Sequence, residues 1–348
     1  MARPDNAALS ELLCIAADEP DRSYQQRRAL RRAGRGAYRW AIEAADLVAE
    51  ERSLTELRLV GPWLARVLGE WIADPPVPMP EPPPIRRGFL TAVEAHRVLE
   101  TTPAPRVRGD LQMHTEGSDG KAPVGAMADA ARALGHEYVA ITDHSKGLTI
   151  AHGMDERALA RQGEAIDALN DALAPRGPRI LRAVELNVSP HGAVDLEPSF
   201  LRGLDLRLGA FHSRLRLTDD QTERYLAALR NPDVDVLAHP RGRIFNFRLG
   251  LSADWARVFE YARAHDRAVE IDAHPDRQDL DGALLALARE TGVRISIGSD
   301  AHAPGQLEFL DYGVAAARRA RIPADRILNC MPVDDLLAWA REHRAHHP

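Results

Sequence analysis

From residue 109 onward the chain alternates short apolar runs with helix-length amphipathic stretches, and this alternation constrains its fold more than any other feature. It is the pattern of a parallel sheet whose strands are joined by helical crossovers. The expected strands are Gly109–Met113, Tyr138–Thr142, Ile180–Leu186, Leu206–Phe211, Val234–Ala238, Ala268–Ile271 and Val293–Ile297. A polar side chain able to bind a ligand ends each run or closely follows it: His114, Asp143 with His144, Glu185, His212, His239, Asp272 with His274, and Asp300 with His302. In α/β barrels the active site lies where the carboxyl ends of the strands converge, so the repetition points to a barrel with one shared site. A flat doubly wound sheet would spread the same residues along a line.

Residue type narrows the chemistry. Imidazoles mixed with carboxylates suit zinc, manganese or iron, whereas all-oxygen sets suit magnesium or calcium. A single strand-end histidine is more often a hydrogen-bonded structural residue than a ligand. Several histidines and acids gathered without a cation would leave costly unpaired polar groups, so the set as a whole favours metal binding. The chain has no G-x-S-x-G elbow, and no glycine-rich phosphate loop follows the first strand, which argues against serine hydrolase and dinucleotide chemistry.

Six segments carry a more specific signal. Gly109-Asp-Leu-Gln-Met-His-Thr-Glu-Gly-Ser-Asp-Gly120, Ala140-Ile-Thr-Asp-His144, Val184-Glu185, Ala210-Phe-His-Ser213, Ala238-His-Pro240 and Gly298-Ser-Asp-Ala-His302 resemble, in order, the motifs of the PHP (polymerase and histidinol phosphatase) superfamily. The resemblance runs from about Arg108 to Arg341 and is greatest to the PHP domains attached to bacterial family X DNA polymerases. It implies a distorted (β/α)7 barrel and three clustered divalent ions, manganese or zinc, with iron or magnesium as alternatives. The implied ligands are Gln112, His114, Asp119, His144, Glu185, His212, His239, Asp300 and His302, with Glu185 bridging two ions. Glu185, Asp300 and His302 are expected to be central to catalysis, through a metal-bridged hydroxide that attacks phosphorus in line. Gln112 departs from the family's usual histidine, and direct ligation of a metal and a hydrogen bond to a ligand are equally open readings of it. Lys146, Arg214, Arg241 and Arg243 stand close to motifs and are the expected phosphate-binding residues. Asp143 is expected to orient His144 or to touch a metal.

The first part of the chain has a different character. Residues 1–74 have helical spacing, 75–105 form a proline-rich linker with one short helix at Thr91–Glu100, and 106–348 form the PHP domain. Prolines 75, 76, 78, 80, 82, 83 and 84 predict a stiff, extended segment, since each fixes φ and lacks an N–H donor. Asp21–Trp40 is expected to be one helix carrying Arg22, Arg27, Arg28, Arg31, Arg32, Arg35 and Arg39, a local basic face on a chain whose formal net charge is -6. Ser53–Leu68 resembles a helix-hairpin-helix, a motif whose glycine turn presents backbone N–H groups to a DNA phosphate. Gly61 keeps one glycine of that turn, Leu59 stands at the other, and Pro62 lacks a donor. Arg27, Arg28, Arg31, Arg35 and Gly61 are therefore the expected DNA-binding residues. The resemblance of this small all-α region is to the N-terminal domain of family X polymerases. No polymerase catalytic domain stands between it and the barrel, so nucleotide polymerisation is not expected.

The N-terminus lacks a basic patch followed by an apolar run, and no later stretch is apolar enough to cross a bilayer. With only Cys14 and Cys330 and no cysteine framework, a reducing, cytoplasmic setting is expected. The leading expectation is a phosphoesterase acting on DNA, as a 3′-5′ exonuclease or a 3′-phosphatase in repair. The alternatives are a phosphatase of the histidinol-phosphate type, acting on a phosphorylated small molecule, and a non-catalytic DNA-binding protein with a decayed metal site.

Overall fold

The computed structural model describes residues 3–102 and 106–345, with side chains to residue 342. Residues 103–105, where the expected linker ends, and the last three residues of the expected PHP domain lie outside the described residues. The chain divides into two compact units, one reaching to Thr101 and including Ile244–Leu249, the other made of Thr102–Arg243 and the residues from Gly250 onward.

The first unit is helical: α1 (Asn6–Ala16), α2 (Tyr24–Ala37), α3 (Ala44–Ala49), α4 (Pro62–Ala73) and α5 (Ala92–Thr101). Leu9, Leu13, Leu30, Trp40, Leu47 and Leu68 form its buried centre. The expected Asp21–Trp40 helix begins at Tyr24 because Ser23 caps it, its side chain accepting from Gln26 N while Gln26 returns a bond to Ser23 N. The proline-rich segment is tied into this unit: Arg86 pairs with the buried Glu11 at 2.6 Å, and Phe89 packs against Tyr38 and Phe245. In the hairpin-like turn Leu59 holds a left-handed φ of 69°, a conformation that glycine adopts without strain. Gly61 is the N-cap of α4 and Pro62 its first residue.

The second unit is an all-parallel sheet of β1 (Gly109–Met113), β2 (Tyr138–Ile141), β3 (Arg179–Asn187), β4 (Leu206–Ala210), β5 (Val236–Leu237), β6 (Ala268–Asp272) and β7 (Arg294–Gly298), in that spatial order. All seven expected strands are present, each end within two residues of its expected position. The sheet nearly closes: Met113 bridges Ala301, His114 N donates to Ala301 O at 2.8 Å, and Asp300 N donates to Gln112 O at 3.1 Å. The architecture is the expected (β/α)7 barrel with its helical N-terminal region. Its helices are α6 (Val124–Ala133), α7 (Glu156–Leu173), α8 (Pro198–Leu201), α9 (Thr222–Arg230), α10 (Trp255–Ala264), α11 (Gly282–Thr291), α12 (Leu310–Arg319) and α13 (Val333–Ala345). Alternate strand residues Val139, Ile141 and Ile180 pack on Met127 of α6 and Ile166 of α7, while Tyr138, Leu181, Leu208 and Val236 pack with Leu336 and Trp339 of α13. Among the described residues no helix is long and apolar enough to cross a membrane.

Candidate metal centre

The β1–β2 pairing changes register between Asp110 and Met113, the kind of irregularity that re-aims side chains beside active sites. From β1 and the turn after it, Gln112 and His114 reach Glu185 of β3. Gln112 Nε2 donates to Glu185 Oε2 at 2.7 Å, and His114 Nε2 lies 3.3 Å from the same oxygen. The other oxygen, Oε1, faces His239 Nε2 at 2.8 Å and His212 Nε2 at 2.9 Å. His144, just beyond β2, has Nδ1 3.7 Å from Glu185 Oε2 and Nε2 3.7 Å from Asp119 Oδ1. Asp119 is also 3.3 Å from His302 Nε2, and Asp300 Oδ1 is 3.1 Å from His114 Nε2. The structure thus brings all nine expected ligand positions into one linked cluster, which contains the Glu185, Asp300 and His302 expected to be central to catalysis.

Three overlapping groups in it could each hold a metal ion: His114, Asp119, His144 and His302; His144, Glu185 and His212; and His114, Glu185 and Asp300. The donors fit divalent transition metals in kind. They also fit in their unmet bonding, since His114 Nδ1, His144 Nδ1, Asp119 Oδ1 and Gln112 Oε1 are buried without a hydrogen-bond partner. Gln112 therefore combines a hydrogen bond to Glu185 with a free carbonyl oxygen. His239 and Asp300 adopt left-handed φ values of 24° and 51°, strain of a kind that gathers at functional sites.

The electrostatics follow from packing so many ionisable groups together. Burial pushes the Glu185 carboxyl up, but the imidazoles of His144, His239, His114 and His212 prevail and hold it well below the usual range. Burial likewise opposes Asp300, which Arg277 and His114 hold well below its usual value. Burial disfavours the charged form of His114, yet Asp300 and Glu185 raise its pKa well above normal. His144 is drawn down by burial to about 4. Deeper in the barrel Glu270 and Asp272 are raised well above normal by burial and by neighbouring carboxylates.

Other expected residues lie elsewhere. Asp143 accepts bonds from Thr115 N at 2.8 Å and Ser118 Oγ at 2.6 Å, so it orders the turn that leads to Asp119. Lys146 pairs with Glu156 at 2.7 Å, Arg214 is exposed, and Arg241 and the buried Arg243 both pair with Asp281, Arg243 at 3.4 Å. In the helical unit Arg27, Arg28, Arg31 and Arg35 line a groove of about 600 Å³ together with Arg32, Tyr24, Phe245 and Asn246. Gly61 is not part of that lining.

Four residues that sequence reasoning passed over belong to the surroundings of the centre. Asn187 Oδ1 lies 3.2 Å from His212 Nδ1, fixing the ring that faces Glu185. Glu270 Oε2 accepts from His239 N at 2.8 Å, and Asp110 Oδ1 accepts from Ser299 N at 3.0 Å beside the last motif. Arg277 Nε is 3.3 Å from Asp300 Oδ2 and 3.5 Å from Asp272 Oδ2. The one signal for Arg277 was its place in the loop after Asp272 and His274.

A parallel barrel that gathers histidines and carboxylates at its strand ends around one buried glutamate defines a class, the barrels whose strand-end cluster can hold divalent metal ions. The PHP domain family matches residues 110–299, and the chain belongs to that family. It is 34% identical over 263 residues to the "DNA polymerase/3'-5' exonuclease PolX" of Bacillus subtilis, covering 75% of this chain and 46% of that protein. The chain thus spans about half the length of that relative. A probable phosphatase of Acetivibrio thermocellus is 29% identical over 230 residues, covering 63% of this chain and 90% of that one. Among solved structures, the histidinol phosphate phosphatase of Lactococcus lactis, complexed with zinc, L-histidinol and phosphate, is similar with a TM-score of 0.48 at 14% identity, covering 62% of this chain and 95% of that one.

Proposed function

We propose that the barrel hydrolyses phosphate esters at DNA 3′ ends, as a 3′-5′ exonuclease or a 3′-phosphatase in repair. The observation that carries the hydrolytic part is the division of Glu185, whose Oε1 faces His212 and His239 while its Oε2 faces Gln112, His114 and His144. A carboxylate so placed can hold two ligand groups in fixed register. Three ions, manganese or zinc, held by Gln112, His114, Asp119, His144, Glu185, His212, His239, Asp300 and His302, would supply a water of lowered pKa and neutralise phosphate charge. Asn187 and Glu270 hold His212 and His239 in place, and Asp143 holds the turn that leads to Asp119. Of the residues assigned to phosphate, Arg214 and Lys146 are exposed, Lys146 paired with Glu156, whereas Arg241 and Arg243 both pair with Asp281.

The DNA part of the reading is supported by the arginines of α2. Five of them line one groove beside the exposed ring of Tyr24, a combination of cations and an aromatic face suited to a nucleic-acid strand. A net charge of -6 and a relative named a probable phosphatase favour a second reading, a phosphorylated small molecule as substrate. A screen of metals against oligonucleotides, 3′-phosphorylated ends and small phosphomonoesters separates the two. Turnover of 3′ ends well above that of histidinol phosphate and similar monoesters is expected, and the reverse order would overturn the DNA assignment.

A further inference from the structure

We infer that Gln112 turns one metal position of the cluster, the one built on His114, Glu185 and Asp300, into an oxygen-rich position selective for manganese relative to its neighbours. The inference rests on the metal-dependent reading of the barrel. Gln112 is fully buried, and its backbone is held on both sides. Its N donates to Asp110 Oδ1 at 3.2 Å, and its O accepts from Asp300 N at 3.1 Å and from Ser299 Oγ at 3.3 Å. The amide is then oriented by Glu185, whose Oε2 accepts from Gln112 Nε2 at 2.7 Å, so the carbonyl oxygen is the end left over. That oxygen is buried without a hydrogen-bond partner, and so is Glu270 Oε1. Both lie over Gly298, 3.2 and 2.5 Å from where a Cβ on that glycine would stand. Two acceptors brought together in the interior with no donor between them call for a cation.

The three groups able to hold an ion differ in donor type. His114, Asp119, His144 and His302 offer three imidazoles and one carboxylate. His144, Glu185 and His212 offer two imidazoles and one carboxylate, and His239, 2.8 Å from the same Glu185 oxygen as His212, adds a third ring. His114, Glu185 and Asp300 offer a single imidazole, and the free carbonyl of Gln112 adds a third oxygen donor there. Imidazole-rich sets suit zinc, whereas carboxylates and carbonyls suit manganese and magnesium. Zinc outbinds manganese at most mixed sets, so what Gln112 narrows is the margin between them. An imidazole in its place would make all three positions alike.

The test compares the full-length wild type with Gln112→His and Gln112→Met. Each is stripped with a chelator, loaded with manganese and titrated with zinc, while elemental analysis counts both bound metals and electron paramagnetic resonance follows the bound manganese. In the wild type the last manganese is expected to leave at a zinc-to-manganese ratio at least about tenfold above the one that clears the other positions. In Gln112→His that lag is expected to vanish, and Gln112→Met, which removes the oxygen donor, is expected to hold one manganese ion fewer than the wild type. If Gln112→His takes up no metal, Gln112→Met decides. A wild type that exchanges all its manganese at one ratio, a Gln112→His that keeps the lag, or a Gln112→Met with wild-type manganese content would each overturn the assignment. All three results leave the phosphoesterase reading intact. A wild type that binds its ions with the expected lag yet hydrolyses no phosphoester would overturn that reading alone, and one that takes up no divalent ion would overturn both.

Discussion

At the scale of single residues, Glu185 is the point on which the site turns. Two of its histidine neighbours meet one oxygen and two meet the other, so shortening or neutralising it disconnects both halves. Glu185→Gln keeps the shape and removes the charge. It is expected to lower phosphoester hydrolysis by at least about a thousandfold and to reduce bound metal, while circular dichroism stays as in the wild type. Hydrolysis at the wild-type rate would contradict the role given to it. His144 supplies a pH signature in metal-stripped protein. Burial holds its pKa in the folded protein at about 4, below the ordinary histidine value of 6.5, so the folded state binds this proton more weakly than the unfolded chain does. The stability it contributes is complete above about pH 6.5 and is lost as pH falls toward 4. The stability difference between wild type and His144→Gln is therefore expected to shift by up to about 3 kcal/mol against the wild type across that window. A difference that stays constant with pH would count against a buried, neutral His144.

Elements place these residues with little tolerance, and Gly298 at the end of β7 shows why. A Cβ there would stand 2.5 Å from both Gln112 Cβ and Glu270 Oε1, so the glycine is what lets β1 and β6 side chains meet over β7. Gly298→Ala is expected to cost roughly 1–3 kcal/mol and to weaken metal retention, because Gln112 must move off Glu185. Thermal melts with and without added manganese would detect both effects, and an unchanged melt would contradict the tight contact of Gly298 with Gln112 and Glu270. The strands were legible because each is a short apolar run ended by a polar residue, a signal contained within a few positions. The pairing of Arg277 with Asp300, of Asn187 with His212 and of Glu270 with His239 was not legible, since it depends on which residues the barrel sets opposite one another. Gln112 was legible as a departure from a motif. Its bond to Glu185 and its free buried carbonyl required the β1 irregularity, which no local pattern announces.

At the scale of the whole molecule, linear order misleads in one place. Ile244–Leu249 follows the β5 motif in sequence yet belongs to the helical unit, where Phe245 packs on Tyr38 and Phe89. Phe245 and Asn246 thereby complete the groove lined by the α2 arginines. If that groove holds DNA, a double variant Arg28→Glu and Arg32→Glu is expected to weaken binding of an oligonucleotide at least about tenfold and to flatten its salt dependence, leaving turnover of p-nitrophenyl phosphate unchanged. Equal oligonucleotide affinity in variant and wild type would remove the helical unit from substrate binding. The central claim concerns the barrel, and the most direct measurement of it is phosphoesterase activity followed together with metal content through chelation and metal return. The account predicts that the purified chain carries at least two tightly held divalent ions, that removing them abolishes hydrolysis, and that manganese or zinc restores it. A stripped protein that hydrolyses phosphoesters at the original rate would contradict the account.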